Sequence, residues 1–424
     1  MRFIFLIFPF FLLVVSCCKE DIPPTQTDEY GVIISQPIQW KYHLHASGQY
    51  HSNSYFDSPI VYNSNIAIPT TETDGSKCMT MISSRTGKSL WHWSDVFQQS
   101  YGADLNIDWL VCRNGLMTWQ VASRSYCVDL KDGSTFWKYQ RDRYYDIRLN
   151  PFNDNFFAYS FATRSDGHDE QVAFLGNLET GDLFEFLRAN YSCEYVAPIT
   201  DNGSVGAIIY INQLPVSSNL LLVTYAEPLP EWKVRSMFGL YNTETQEWIY
   251  ERKILADPLW NTSVFHTPII YNGRVYANVG NNIVCHDVKT GEQIWAQEFE
   301  QDFLFSGFII EDGMLLANCE DTYLYRINPE IVNIEWRIKS AGTCSRMSYL
   351  NGVVYYVGGS TGYLHAVDTE TGLKTVWRIN ASKLGESDGS FTTNAVYCIP
   401  GENGDKGRVI ALSGRYAYCF EAYR

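Results

Sequence analysis

Residues 267–299 read TPIIYNGRVYANVGNNIVCHDVKTGEQIWAQEF, four β-rich runs separated by polar clusters. The runs cover 268–271, 275–279, 283–285 and a fourth that begins at Ile294-Trp295. Asn272-Gly273 between the first two is a strong hairpin signal, because both central residues of a type I′ turn need φ > 0. Asn281-Asn282 turns the chain again. Asp287 opens a tighter turn, in which its carboxylate can accept from backbone amides two residues on and Gly291 can take the left-handed conformation. One such four-stranded sheet cannot bury both faces. The unit makes sense only beside copies of itself.

The copies are present. Residues 353–379 repeat the pattern with Asn351-Gly352, Asp368, Gly372 and Trp377, and residues 110–139 with Asn114-Gly115, Asp129, Gly133 and Trp137. Residues 309–338 do so with Asp312-Gly313, Asn328 and Trp336, with Val332 in place of the turn glycine. Weaker copies end at Trp91, Phe184 and Trp248, and Trp40 supplies a last strand near the N-terminus. The last-strand positions 40, 91, 137, 184, 248, 295, 336 and 377 are spaced by 51, 46, 47, 64, 47, 41 and 41 residues. That is the period of four-stranded propeller blades. After Trp377 the tail offers three strands (396–399, 408–412, 417–421) and no fourth, whereas residues 38–44 are a last strand with no preceding three. Joining them predicts an all-β, eight-bladed β-propeller of four-stranded antiparallel blades, the last blade closed by the N-terminal strand. The alternative is seven blades plus a stray strand. Closure by either route removes exposed sheet edges.

Residues 1–16 read as a signal segment: Arg2 followed by a hydrophobic run of about 13 residues, shorter than the roughly 20 a spanning helix needs. It ends in Val14-Val15-Ser16-Cys17, which resembles a bacterial lipobox and implies acylation of Cys17, with Cys18 the alternative. Lys19-Glu20-Asp21 resembles an export signal to the outer face of the outer membrane, or is a solvated tether. Residues 17–31 form the linker and 32–424 a single domain.

Composition narrows the class. Aromatic residues make up 15% of the chain, a bias that suits sheets. The net charge of −15 argues against a nucleic-acid footprint. Eleven cysteines in an exported chain would ordinarily suggest disulfides. However, Cys127, Cys285 and Cys419 fall at one third-strand position in different blades, where Ala366 stands in a fourth copy. They read as small buried hydrophobes carrying free thiols.

The pattern Ala-x-Asp-x-x-Thr-Gly-x-x-x-Trp, carried here by 285–295, 127–137 and 366–377, resembles the tryptophan-docking repeat of the pyrroloquinoline-quinone (PQQ)-like propeller superfamily. The resemblance covers nearly all of residues 32–424. It implies that Trp40, Trp91, Trp137, Trp248, Trp295, Trp336 and Trp377 dock between neighbouring blades. Quinone-dependent dehydrogenases of this fold carry adjacent cysteines over the cofactor and a Ca²⁺-binding set. The only adjacent pair here is Cys17-Cys18, at the anchor. The chain is closer to the non-catalytic branch that includes BamB-like lipoproteins of outer-membrane-protein assembly. That resemblance implies no cofactor, no catalytic residues, a lipid-anchored location at the outer membrane, and membrane-protein partners.

The spacing of 64 residues before Trp248 holds an extra stretch, 213–236, reading QLPVSSNLLLVTYAEPLPEWKVRS. It is either a long blade strand bent by prolines or a projecting loop whose Leu220, Tyr225 and Trp232 dock a partner protein or a glycan. His43-x-His45 with nearby His51 lacks a carboxylate or cysteine to complete a metal site. The acidic clusters 166–170 and 402–405 do not match a calcium-loop spacing. The function expected is a non-catalytic, lipid-anchored scaffold, with glycan or small-ligand binding as the alternative and a cryptic dehydrogenase behind both.

Overall fold

The computed structural model describes residues 25–424 apart from 50–54, 57–58, 96–105, 108–110, 122–123, 141–144, 149–154, 164–168, 192–206, 216, 230–232, 256–265, 304–306, 371 and 385–389. Cys17, Cys18, His51 and Trp232 therefore lie outside the described residues. The regular secondary structure among the described residues is strand, apart from one short 3₁₀ turn at Ala381–Leu384.

Six blades follow one another in chain order, each of four antiparallel strands. The first comprises Ile60–Tyr62, Asn65–Thr71, Lys77–Ser83 and Ser89–Ser94, and the second Val111–Arg113, Leu116–Val121, Arg124–Asp129 and Thr135–Gln140. The third comprises Tyr145–Arg148, Asn155–Thr163, Asp169–Asn177 and Leu183–Tyr191, and the fourth Ala207–Leu214, Ser217–Leu229, Lys233–Asn242 and Glu247–Ile254. The fifth comprises Ile269–Tyr271, Arg274–Val279, Asn282–Asp287 and Gln293–Glu298, and the sixth Phe308–Glu311, Met314–Asn318, Tyr323–Asn328 and Asn333–Lys339. A closing blade joins the two ends of the chain: Tyr397–Ile399, Arg408–Leu412 and Tyr416–Glu421 are completed by Ile38–His43, with Trp40 opposite Cys419.

Between the sixth and closing blades lies a different sheet. Ser348–Leu350, Val353–Val357, Tyr363–Asp368 and Lys374–Asn380 are extended by Ile33–Ser35 and then Gln26–Thr27. The added strand runs parallel to its neighbour, with Ile33 opposite Trp377. This corrects the expectation of an eight-bladed propeller: the described residues form seven four-stranded antiparallel blades, beside one six-stranded mixed sheet and a two-stranded pairing of Tyr55–Phe56 with Asn106–Ile107. The reason is the chain break inside the closing blade. Its third and fourth strands come from opposite ends of the chain, so no tight turn joins them to cap the neighbouring sheet. The segment just upstream of Ile38 covers that sheet instead.

The local rules are visible in the backbone. Asn114-Gly115, Asn272-Gly273, Asp312-Gly313 and Asn351-Gly352 all have positive φ at both residues, as type I′ hairpins require. Asp287 Oδ1 accepts from the amides of Lys289 and Thr290, both at 2.9 Å, and the Gly291 amide closes the turn on the Asp287 carbonyl at 2.8 Å. The core is not one cluster but a series of interleaves. Side chains of one blade pack on those of the next, as Met79, Met81 and Trp93 do on Trp119, Tyr126 and Val128.

Candidate functional site

The recurring feature is the corner where the last strand of one blade meets the tight turn of the next. Trp40 Nε1 donates to the Ser84 carbonyl at 2.7 Å, Trp91 to Leu130 at 3.1 Å, Trp137 to Leu178 at 2.8 Å and Trp295 to Pro329 at 3.1 Å. Each acceptor lies three residues before the left-handed residue of its turn: Gly87, Gly133, Gly181 and Val332. Gly133 shows why glycine suits that place. Its φ is +76°, and a Cβ there would sit 2.6 Å from the Trp91 ring.

A β-bulge aims these rings. In the second blade Cys127 pairs with Trp137 and Val128 with Thr135, leaving Phe136 unpaired. Leu90, Ile249 and Ile294 are left out in the same way in the first, fourth and fifth blades. The extra residue bends the edge strand and turns the following aromatic onto the next blade. It also leaves Leu90, Phe136, Ile249 and Ile294 exposed on the outer rim. The residue across from the docking ring is small: Cys127, Cys285 and Cys419 face Trp137, Trp295 and Trp40. The seven cysteines whose side chains are described are free. Burial pushes the thiol of Cys127 up to about 12 and that of Cys285 to about 11, so both stay protonated and inert.

Three of the expected docking positions behave differently. Trp248 does not dock. It packs within its own blade on Tyr241, ring centroids 5.1 Å apart, and Tyr250 takes its place, its hydroxyl donating to the Val288 carbonyl at 2.8 Å. Counting eight residues on from the turn-opening Asn242 would have found Tyr250, since Asp287 stands at that distance from Trp295. The same count puts Glu185, not Phe184, at the docking position of the third blade. Trp336 lies against Gly372 but is 51% exposed, and the carbonyl it would be expected to reach, that of Thr369, accepts from Arg326 instead. Trp377, covered by Ile33–Ser35, is fully buried.

The stretch 213–236 is largely ladder. Leu220 to Leu229 pair residue by residue with Asn242 to Lys233, forming a long hairpin whose connection is 230–232. Leu220 is half-buried. Tyr225 is interior, and its hydroxyl accepts from the Arg252 amide at 2.7 Å. Of the two readings left open for this stretch, a long blade strand or a projecting loop that docks a partner through Tyr225, the structure has the long strand, with Tyr225 in the blade core. His43 and His45 also separate: the His43 ring packs on Tyr416 at 4.3 Å, and buried His45 holds Ser47. Among the described residues no group of three His, Cys, Asp or Glu side chains could hold a metal.

A second concave feature lies at the axis, where first strands of adjacent blades approach one another. A cavity of about 360 Å³ is lined by Pro59, His266, Phe308, Ile309, Arg346 and Met347, among others. His266 Nε2 is 3.1 Å from the Phe303 carbonyl. Burial, helped by the positive charge of Arg346, lowers its pKa to about 4, so the ring is neutral at physiological pH.

With this geometry in view, the comparisons with known proteins can be read. A family model described as outer membrane protein assembly factor BamB matches residues 258–394. Comparison with curated proteins finds no match in sequence. Among solved structures, BamB from Moraxella catarrhalis is similar at a TM-score of 0.52 and 10% identity, over 91% of this chain and 98% of that one. The chain has the β-propeller fold, and its residues 258–394 are PQQ-like in sequence. The propeller is also similar to a quinohemoprotein alcohol dehydrogenase from Pseudomonas putida (TM-score 0.59, 11% identity, 91% and 76% covered). Saccharomyces cerevisiae Sqt1 gives a TM-score of 0.58 at 10% identity, over 91% and 98%. These identities speak to fold.

Proposed function

We propose that this propeller is a non-catalytic scaffold that binds other proteins at the bacterial outer membrane, tethered through acylated Cys17. The observation that carries the reading is the outer rim. Leu90, Phe136, Ile249 and Ile294 recur at one bulge position on four blades and all face solvent. Packing does not call for large apolar residues there, because Gln39 and Glu335 occupy the same position elsewhere. Exposed apolar side chains repeated around a rim suit partner contact. The partial match to the assembly-factor family supports the membrane setting. In the stretch 213–236, the residue we assign to a partner is Trp232, while Leu220 and Tyr225 belong to the blade.

The test is affinity capture of the full-length protein from detergent-solubilised membranes beside Phe136→Lys and Ile249→Lys variants. Loss of a defined set of partners with unfolding curves unchanged supports the scaffold. Identical capture by all three proteins removes the rim from the account. Cys17→Ser, followed by fatty-acid labelling, tests the anchor.

The axial cavity favours a second reading, a small-ligand propeller, because Arg346 and apolar walls converge there. Capture of no protein partner by any form would shift weight to that cavity.

A further inference from the structure

The sixth blade and the mixed sheet end in nearly the same outer strand. Trp336-Arg337-Ile338 and Trp377-Arg378-Ile379 are identical tripeptides, each with its tryptophan just after a bulge. Their surroundings are opposite. Ile33–Ser35 lies parallel along the second strand, with Ile33 opposite Trp377, and Asp28 pairs with Arg378 at 3.1 Å. Trp377 is then 0% exposed and the bulge residue Val376 is buried. The first strand, Asn333–Lys339, is a sheet edge to which no strand is added among the described residues. Trp336 is 51% exposed, and Ile331 and Ile334 beside it are 70% and 37% exposed. An edge strand with unpaired backbone groups and an exposed tryptophan is a template for strand addition.

The geometry points to Asn333–Lys339 as the docking edge for an extended segment of a partner protein, added in parallel. The chain itself shows what fits such an edge. A β-branched residue lies opposite the tryptophan, as Ile33 does, and a carboxylate about five residues before it meets the arginine, as Asp28 does. The charge balance agrees. Arg337 and Lys339 stand over the Tyr323 ring at 4.8 and 4.9 Å, making this end of the strand basic on a chain of net charge −15. Glu335 does not cancel them, because Arg326 already holds it at 2.9 Å. The occupant is therefore acidic and aliphatic. This inference rests on the scaffold reading and names one of its contact surfaces.

The test uses the full-length protein and, as probe, a fluorescein-labelled peptide with the sequence of residues 25–36 (TQTDEYGVIISQ), followed by polarisation. Saturable binding is expected. Trp336→Lys should weaken it at least tenfold, and so should Arg337→Glu. A peptide carrying Lys in place of Asp28 should recover most of the loss in the Arg337→Glu protein. Because Trp336 is half-exposed, both variants should fold, which thermal unfolding checks. Binding indifferent to Trp336→Lys, or raised only when Ile33→Lys loosens the chain's own strand, places the peptide on the mixed sheet and overturns the proposal. Concentration-dependent dimerisation abolished by Trp336→Lys overturns it too, in favour of a second copy as occupant. No peptide binding, with partner capture still lost in Phe136→Lys, would sink this edge and leave the scaffold standing.

Discussion

The corners at Trp295 and Trp336 carry the same residue at the same place in consecutive blades, yet one is closed and the other open. At the first, the ring is buried against Val332 and Nε1 donates to Pro329. At the second, the receiving turn carries one more residue before its tryptophan, Arg326 takes the Thr369 carbonyl, and half the ring remains in water. At these two corners the difference lies in the acceptor: the Pro329 carbonyl accepts from Trp295, whereas the Thr369 carbonyl is already taken by Arg326 and leaves Trp336 half in water.

The sharpest way to break this comparison is to truncate the closed corner. Trp295→Ala should cost roughly 3–5 kcal/mol, since it empties a buried site and orphans a carbonyl. Denaturant unfolding measures it. A loss below about 1 kcal/mol would mean that the corners do not hold the blades together.

Next in size is a pH effect centred on the covered sheet. His365 is buried, stacked on Tyr356 at 5.0 Å, and burial with Arg378 nearby lowers its pKa to about 4. The folded value lies below the ordinary 6.5, so the unfolded chain takes up the proton first. The associated stability is whole above about pH 6.5 and is lost as pH falls towards 4, by an amount on the order of 3 kcal/mol. His365→Phe should flatten the profile across that window. An unchanged profile would mean the ring reaches solvent.

A glycine pair separates backbone strain from corner packing. Gly133→Ala should cost about 2 kcal/mol or more, because its Cβ would press on Trp91 as well as adopt positive φ. Gly273→Ala, at φ +71° with open space around it, should cost only about 1 kcal/mol. Equal losses would show that the ring yields. Asp287→Ala, which removes the acceptor for two amides of the turn, should cost about 1 kcal/mol by thermal unfolding. Smallest of all, Trp336→Ala should change stability by less than about 1 kcal/mol. A loss matching that of Trp295→Ala would show that the open corner is closed in solution.

Much of this architecture was legible in the chain because its cues are local. Asn-Gly dipeptides, Asp-to-Gly turns and the step from the turn-opening Asp287 to Trp295 act over two to eight residues, and their backbone conformations follow. The seam was partly legible: a lone last strand at residues 38–44 and three orphan strands at the end had to meet. Tyr250 was missed because Trp248 stands two residues earlier, and residue type was given more weight than distance from Asn242. The place of Tyr225 was left open between strand and loop because an apolar run with prolines looks the same in a long hairpin and on a loop.

The sequence by itself determined the β-rich repeat, the hairpin chemistry and the small residue opposite Trp40, Trp137 and Trp295, because these depend on the local repeat pattern. Only the tertiary structure decided how the ring is sealed: seven four-stranded blades and one six-stranded mixed sheet, with Ile33–Ser35 laid beside Trp377 and, among the described residues, no strand added beside Trp336. Identical Trp-Arg-Ile tripeptides cannot encode that difference. It arises where the break between the chain's two ends falls in the ring, which leaves one sheet without a neighbouring turn to cap it and brings the N-terminal segment within reach.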